Sequence, residues 1–130
     1  PAFVSHPLSM VGSDAVLLGD FPSPRTYGCF PIILAEYVRE ERQLSLPDAI
    51  RKMTSFPAQR LGIPDRGVLK NRMKADITVF DPNEVSAPAT RTEPKQFPLG
   101  IDYVIVNGTI VIDEGTHTGA LPGKALKRGK

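Results

Sequence analysis

The 130-residue chain has one cysteine, two histidines and no tryptophan, and these scarcities exclude several kinds of site. With Cys29 as the lone cysteine, no disulfide can form within the chain. His6 and His117 form no His-x-His pair, and a catalytic zinc takes about three protein ligands. No apolar run reaches the ~18 residues of a membrane span, and no signal peptide is recognisable. The residues on their own therefore offer neither a complete zinc site nor a membrane anchor.

The chain also has little net charge, because its 16 basic and 14 acidic residues nearly balance and leave a net charge of +2. That balance is too mild to predict a nucleic-acid or membrane partner. One basic cluster lies at the tail and is interpreted as a solvated terminus: Lys124, Lys127, Arg128 and Lys130. Cys29 lies beside Phe30 and Pro31 and is predicted to be a small buried hydrophobe rather than a nucleophile. A lone cysteine is consistent with a reducing, cytoplasmic location.

Enough apolar sequence is present for a core, since 41% of residues are hydrophobic and 23% are charged. Leu8 to Val11 is a short apolar run that ends at Gly12, Ser13 and Asp14. This pattern predicts a buried parallel strand with a polar site at its carboxyl end. Ala15 to Thr26 is predicted to be a long loop, and such loops are often functional.

Three helices are predicted next. Residues 30–42 have apolar residues at helical spacing, with Pro31 in the first turn. A second helix starts at Ser45, where Asp48 completes a capping box. A third follows Pro57 and stops at Gly62.

Strands are predicted after Gly67. Val68 and Leu69 could start one strand, and residues 75–80 alternate as a half-buried strand does. The strongest local signal is Asn-Gly at 107–108 between two β-branched runs, which predicts a type I′ hairpin. We therefore expect a boundary near residues 65–67, with one domain at 1–66 and another at 67–130.

The predicted strands are too few to form a closed barrel or a complete sandwich. The hairpin is apolar on both faces, so it requires cover on both sides. The sequence, which begins at Pro1 rather than at a methionine, is therefore predicted to be part of a larger fold. In isolation it should expose strand edges and apolar surface, and self-associate.

Two polar residues stand out near the predicted strand end. Asp14 follows the apolar run directly and suits the polar site at the end of the predicted strand, or alternatively a turn or helix cap. Arg25, eleven residues later, could bind a substrate carboxylate in two-point fashion or form a surface ion pair that holds the loop. Tyr27 could line the pocket or simply pack. Asp76 and Asp81, which flank a strand, are interpreted as solubility and turn residues.

The chain resembles the N-acyl-D-amino-acid deacylases of the amidohydrolase superfamily over nearly its whole length. The resemblance rests on the segments 11–14, 24–31, 46–58, 61–63, 65–67, 75–82, 100–102, 106–108, 117–119 and 122–124. It implies a TIM-like barrel that holds one or two metals, usually zinc, plus a small β-sandwich. This chain would then be an α+β fragment: the last barrel strand and helices at 1–66, and the C-terminal sandwich strands at 67–130.

The same resemblance implies residue roles. Asp14 would contact the metal and move a proton from the attacking water to the leaving nitrogen, while Ser13, Arg25 and Tyr27 would bind the N-acyl amino acid. The remaining metal ligands would come from the rest of the protein's own chain, so the isolated chain is expected to bind no zinc and to be inactive. Two alternatives stay open: a cyclic-amide hydrolase (dihydroorotase- or hydantoinase-like) or deaminase of the same superfamily, and a non-catalytic assembly or binding module.

Overall fold

The fold, seen in a computed structural model that describes residues 2–16 and 18–127, has helices in its first half and a sheet in its second. None of the helices in these residues is long and apolar enough to cross a membrane. The expected sequence of a few helices followed by a small antiparallel sheet is confirmed. The elements are α1 Ala2–Ser5, α2 Arg25–Ile32 with a π-helical continuation Ile33–Glu40, α3 Leu46–Met53, α4 Ser55–Leu61, β1 Ile77–Phe80, β2 Ile101–Val106, β3 Thr109–Asp113 and β4 Thr116–His117.

The predicted buried strand at residues 8–11 is wrong, because this segment has no regular secondary structure. Leu8 is 73% exposed and Met10 is also exposed. A parallel strand needs a parallel neighbour, and the four strands of the described chain pair with one another in antiparallel fashion. The segment is instead attached to α3, where the Val11 N–H donates to the Lys52 carbonyl at 3.1 Å.

The first long helix begins at Arg25, five residues before the predicted start, and Pro31 lies inside it rather than in its first turn. Proline has no N–H to donate, which weakens the α-helical hydrogen-bond ladder at this point. From Ile33 the helix continues with π-helical geometry, a form typical of local insertions in α-helices. Three consecutive residues are buried in this part, Ile33 to Ala35, while Phe30 in the preceding α-helical part is exposed.

The two shorter helices follow their local signals. The Ser45 Oγ accepts the Asp48 N–H at 3.2 Å, which confirms Ser45 as the N-cap of α3. The Asp48 carboxylate accepts from the Ser45 hydroxyl at 2.7 Å, whereas a capping box would use the Ser45 backbone N–H. The α4 helix ends at Gly62, whose left-handed conformation confirms the predicted C-cap.

The sheet has the strand order β1-β2-β3-β4, and all pairs are antiparallel. Asn107 and Gly108 both have positive φ and join β2 to β3 by a two-residue turn, which confirms the predicted hairpin. Val68 and Leu69 form no strand and are exposed, so that prediction is wrong. The short strand β4 in the glycine-containing tail lacks a sequence signal of its own. Of the basic tail, Arg128 and Lys130 lie outside the described residues.

The buried core joins the helices to the chain that follows β1. Its members are Ile33, Leu34, Leu44, Ala49 and Val85. Arg39 is half-buried, and its guanidinium donates to the carbonyls of Val85 at 2.7 Å and Pro82 at 3.2 Å. The long aliphatic stem of arginine lets it cross this interface while its donors reach backbone acceptors. The division into domains at 66 and 67 stays a prediction.

A second link between helices and sheet is polar. Arg66, whose side chain is mostly buried, forms an ion pair with Asp76 and donates to the Asn107 side-chain oxygen at 2.5 Å. Asp76 also accepts the Asn107 N–H at 2.8 Å, and the Asn107 amide donates to the Pro122 carbonyl at 2.8 Å. The prediction that Asp76 serves only solubility is therefore wrong, whereas Asp81 does cap a turn by accepting the Asn83 N–H at 2.7 Å.

This network predicts a pH-dependent contribution of Asp76 to stability. Burial raises the pKa of Asp76, but the Asn107 N–H and the hydrogen bond and charge of Arg66 outweigh it and leave the pKa below its usual 3.8. A depressed folded-state pKa means that the stabilisation is present above pH 3.8 and is lost as pH falls through the folded value. We expect Asp76→Asn to reduce the free energy of unfolding by about 1–2 kcal/mol at pH 7.

The measurement is urea unfolding of the natural protein that contains this chain, at pH values from 7 down to 3. The difference between wild type and Asp76→Asn should shrink on the acid side. The exposed Asp102 supplies the control variant, Asp102→Asn, which should change stability little. A difference that stays constant down to pH 3 would contradict the assignment.

Candidate functional site

Asp14 lies on the irregular segment 9–16, which precedes α2 in the chain. This segment is attached to α3 at Val11 and reaches the start of α2 at Asp14. Its φ is 45°, a left-handed conformation that non-glycine residues adopt rarely and that is frequent at functional positions. The side chain is 81% exposed. The carboxylate is thus held on an unusual backbone conformation and is open to an incoming group.

Arg25 is brought to Asp14 by the start of α2. Its Nη2 lies 2.9 Å from the Asp14 Oδ2, in an ion pair whose arginine side chain is 54% exposed. Backbone hydrogen bonds from Thr26 to Ser23 at 2.9 Å and from Gly28 to Pro24 at 3.0 Å turn the loop into the helix. So exposed a pair contributes only about 0–1 kcal/mol, and an anionic ligand can exchange for Asp14 at the guanidinium.

The other two predicted site residues lie beside this pair in sequence. Ser13 is half-buried next to Asp14, and Tyr27 is half-buried on the first turn of α2. The Tyr27 ring meets Phe97 edge to face, with 5.5 Å between ring centroids. Tyr27 therefore has a packing role, and its role and that of Ser13 toward a substrate stay predictions.

The segment 86–99 borders the site, which sequence reasoning did not foresee. Phe97 of this segment contacts Tyr27. The Lys95 Nζ lies 3.7 Å from the carboxylate of Asp20, which belongs to the loop between Asp14 and Arg25. Gly28 packs so closely on Ala87 that a Cβ on the glycine would lie 2.8 Å from the alanine Cβ. No periodic pattern marks this proline-containing segment, so only its position in the fold reveals it.

Cys29 and the histidines have no catalytic geometry in the described chain. Burial raises the pKa of the Cys29 thiol, which the Arg25 charge offsets only partly, so the thiol rather than the nucleophilic thiolate is favoured. Its Sγ donates to the Gly12 carbonyl at 3.6 Å. His6 accepts the Leu8 N–H at 3.3 Å, and His117 accepts the Gly119 N–H at 2.9 Å, both on the surface.

The donor set does not fit a catalytic metal without further ligands. Across residues 2–16 and 18–127, no group of three or more His, Cys, Asp or Glu side chains could hold an ion. A catalytic zinc takes about three protein ligands plus water. Asp14 can therefore supply only part of a catalytic ligand set, and no reaction step through a metal follows from these residues alone.

A groove of about 680 Å³ lies elsewhere, between α3 and β1, and its walls are largely apolar. Its lining includes Leu46, Ile50, Val68, Leu69 and Phe80. None of the four predicted site residues lines it. Its apolar lining is typical of hydrophobic core surface that no other element covers, rather than of a polar active site.

Sequence reasoning also missed Lys52, which is 2% exposed on α3 and contacts the segment that leads to Asp14. A signal existed, because Lys52 follows the buried Ala49 at helical spacing and so lies on the buried face of α3.

Comparison with known proteins identifies relatives for almost the entire chain. The profile described as "Amidohydrolase family" matches residues 2–112. The N-acyl-D-aspartate deacylase of Alcaligenes xylosoxydans xylosoxydans is 45% identical over 126 residues, which are 96% of this chain and 25% of the relative. The dihydroorotase of Geobacter metallireducens is 42% identical over 82 residues, only 55% of this chain and 19% of the relative.

Solved structures agree with this result. A crystal structure of D-aminoacylase superposes with a TM-score of 0.88 at 35% identity, covering 91% of this chain and 25% of that one. The N-acyl-D-glutamate deacylase of Bordetella bronchiseptica, solved with zinc and a phosphonate that mimics the tetrahedral intermediate, superposes with a TM-score of 0.81 at 44% identity. That match covers 82% of this chain and 23% of the other. The chain thus spans about a quarter of the length of the relatives it matches.

Proposed function

This chain belongs to the amidohydrolase family, and on that premise we propose that the natural protein containing it is a metal-dependent hydrolase of N-acyl-D-amino acids. The observation that carries the proposal is the similarity to an N-acyl-D-aspartate deacylase over 96% of the chain. The dihydroorotase similarities cover 55% to 67% of it, which favours an open-chain amide over a cyclic one. The zinc-bound D-glutamate deacylase supports a divalent metal.

In this proposal the rest of the protein supplies what the chain lacks. The further metal ligands come from outside these residues, and so do the neighbouring strands that complete a TIM-like barrel around residues 1–66. A small β-sandwich would be completed around residues 67–130. Several large apolar side chains are exposed, as expected if the rest of the protein packs over them: Leu8, Met10, Leu69 and Leu121. An isolated 130-residue chain would then self-associate, hold no catalytic metal and be inactive.

Asp14 is the proposed proton carrier. The metal, when bound, would supply an activated water for attack on the amide carbonyl. If the rest of the protein completes that metal site, one Asp14 carboxylate oxygen would accept a proton from the attacking water as the new C–O bond forms and would deliver it to the nitrogen as the C–N bond breaks. The products are the carboxylic acid of the acyl group and the free amino acid, so atoms and charge balance.

Arg25 is the proposed anchor for the substrate carboxylate. Its exposed pairing with Asp14 is weak enough to exchange, and a planar guanidinium matches a carboxylate by two parallel hydrogen bonds. When the substrate carboxylate takes the guanidinium, Asp14 is released from the ion pair and is free to accept a proton. Binding and proton transfer are thereby coupled through a single 2.9 Å contact.

The test is hydrolysis of N-acetyl-D-amino acids by the metal-loaded natural protein, with L-enantiomers and a cyclic amide in parallel. Release of free D-amino acid, lost on chelation and restored by zinc, is the expected result. Turnover of only the cyclic amide would favour the dihydroorotase-like alternative. A folded, metal-loaded protein that hydrolyses none of these substrates would favour a non-catalytic module.

Substitution of Arg25 should raise KM rather than lower kcat. A hydrogen-bonded charge pair contributes about 1.5–3 kcal/mol, so Arg25→Met is expected to raise KM about 10–100-fold. Steady-state kinetics on N-acetyl-D-aspartate measure this effect. The matched control is Arg60→Met, an exposed arginine on α4. With a substrate whose α-carboxylate is replaced by an amide, the KM values of wild type and Arg25→Met should be nearly the same. An equal rise in KM on both substrates would refute the anchor role.

We also propose a reducing, cytoplasmic location, which the single, partly buried cysteine supports. Cell fractionation of the natural host would test it, and recovery of the protein outside the cytoplasm would overturn it.

A further inference from the structure

Lys52 is a buried cation that the proposed reaction leaves unused. Only 2% of the residue is exposed, and a buried ammonium is costly unless its donors find acceptors. Desolvation by burial lowers the pKa of Lys52, and the neighbouring Arg51 charge adds to this, while Asp48 opposes it.

Within the described residues, the hydrogen bonds of the Lys52 ammonium go to the segment before Asp14. The Nζ donates to the His6 carbonyl at 2.5 Å, to the Ser9 Oγ at 2.9 Å and to the Ser9 carbonyl at 3.2 Å. The Lys52 carbonyl accepts the Val11 N–H at 3.1 Å. One residue of α3 therefore holds the segment at three positions, through both its side chain and its backbone.

These contacts matter because no helix or strand restrains residues 9–16. The last Lys52 contact, at Val11, lies three residues before Asp14. Between them, the Gly12 carbonyl accepts the Cys29 thiol at 3.6 Å, which ties the same path to α2. The Lys52 contacts and the Cys29 contact are thus restraints on the chain that leads to Asp14, whose carboxylate is paired with Arg25.

We propose that Lys52 is a positioning residue, which sets the placement of the Asp14 carboxylate by clamping residues 6–11 onto α3. The proposal rests on the proposed function, because it assigns Lys52 an effect through the proton-transfer role of Asp14. Lys52 itself contacts neither substrate nor metal.

The test is Lys52→Met in the metal-loaded natural protein, since methionine keeps the length of the side chain but removes the ammonium. A misplacement of about 1 Å can cost about 100-fold in rate. We expect kcat to fall about 10–100-fold while KM changes less than about threefold, with kcat expressed per folded, metal-loaded molecule. The control Lys70→Met removes an exposed lysine and should leave kcat unchanged.

A double-mutant cycle separates positioning from general stability. In an Asp14→Asn background, Lys52→Met should reduce the residual rate by less than about twofold, because the group it positions is already gone. A purely structural role would reduce the rate by the same factor in both backgrounds, and that result overturns the proposal. So does a Lys52→Met enzyme that keeps more than half of the wild-type kcat.

Ser9→Ala provides a second variant if Lys52→Met does not fold. It removes one acceptor of the Lys52 ammonium, and we expect a kcat about 3–10-fold lower that again disappears in the Asp14→Asn background. Unchanged kcat in Ser9→Ala would then count against the proposal. Failure of the proposed function is distinguishable, because in that case wild type itself releases no amino acid from any acyl substrate.

Discussion

Replacement of Asp14 by asparagine in the metal-loaded natural protein is expected to lower kcat about 1,000-fold, within the range that general acid–base catalysis contributes. Asparagine keeps the size of the side chain but cannot accept and return a proton. The loss should appear in kcat rather than KM, since Arg25, freed from its ion pair, stays available to the substrate carboxylate. Steady-state release of free D-amino acid measures the effect.

The matched control is Asp20→Asn. Asp20 is another exposed aspartate, paired at 3.7 Å with Lys95 in the same loop region. It should retain wild-type kcat. Metal content is measured for each variant, so that loss of the ion is distinguished from loss of proton transfer. A variant at Asp14 with full metal and full activity would show that the central assignment is wrong.

Replacement of Gly100 by alanine is expected to lower the free energy of unfolding by about 2–5 kcal/mol. Gly100 has a φ of 71°, which costs an L-residue about 1–2 kcal/mol. A Cβ there would lie 2.5 Å from the Val85 backbone nitrogen and 2.7 Å from the Glu84 carbonyl carbon, so backbone would have to move. Val85 is fully buried, which leaves no free space for that movement, and overpacking adds about 1–3 kcal/mol.

Gly119→Ala isolates the conformational part of this cost. Gly119 has a φ of 84°, but its Cβ would meet no atom within 4 Å. We expect a loss of about 1–2 kcal/mol there, measured as for Gly100→Ala by urea unfolding of the natural protein. Equal losses at the two positions would show that the close approach of Gly100 to residues 84–85 has no energetic consequence.

The correctly predicted elements are those whose signals are local. The Asn107–Gly108 turn needs two positive φ angles, which these two residue types adopt at low cost, so four neighbouring residues define the hairpin. The Ser45 N-cap likewise satisfies the Asp48 N–H at the helix start with a group three residues away. Neither feature depends on distant packing.

The wrong predictions concern residues whose structure depends on distant partners. The run at residues 8–11 has the composition of a buried strand, but a strand exists only when another strand offers hydrogen bonds at the right spacing. Pro31 favours a first turn, yet the preceding residues extend the helix and its geometry widens after the proline. Asp76 has the pattern of a solvated residue and is instead paired with Arg66.

The sequence by itself determined the family resemblance, the hairpin, the helix caps and the candidates Asp14 and Arg25, because each depends on residue type and short spacing. Only the tertiary structure decided that Asp14 and Arg25 form an ion pair, that Phe97 borders Tyr27 and that Lys52 clamps the segment before Asp14. These contacts join residues 11 to 70 positions apart, and whether such residues meet depends on how the elements pack. The secondary-structure preferences of individual residues do not specify which elements pack against each other.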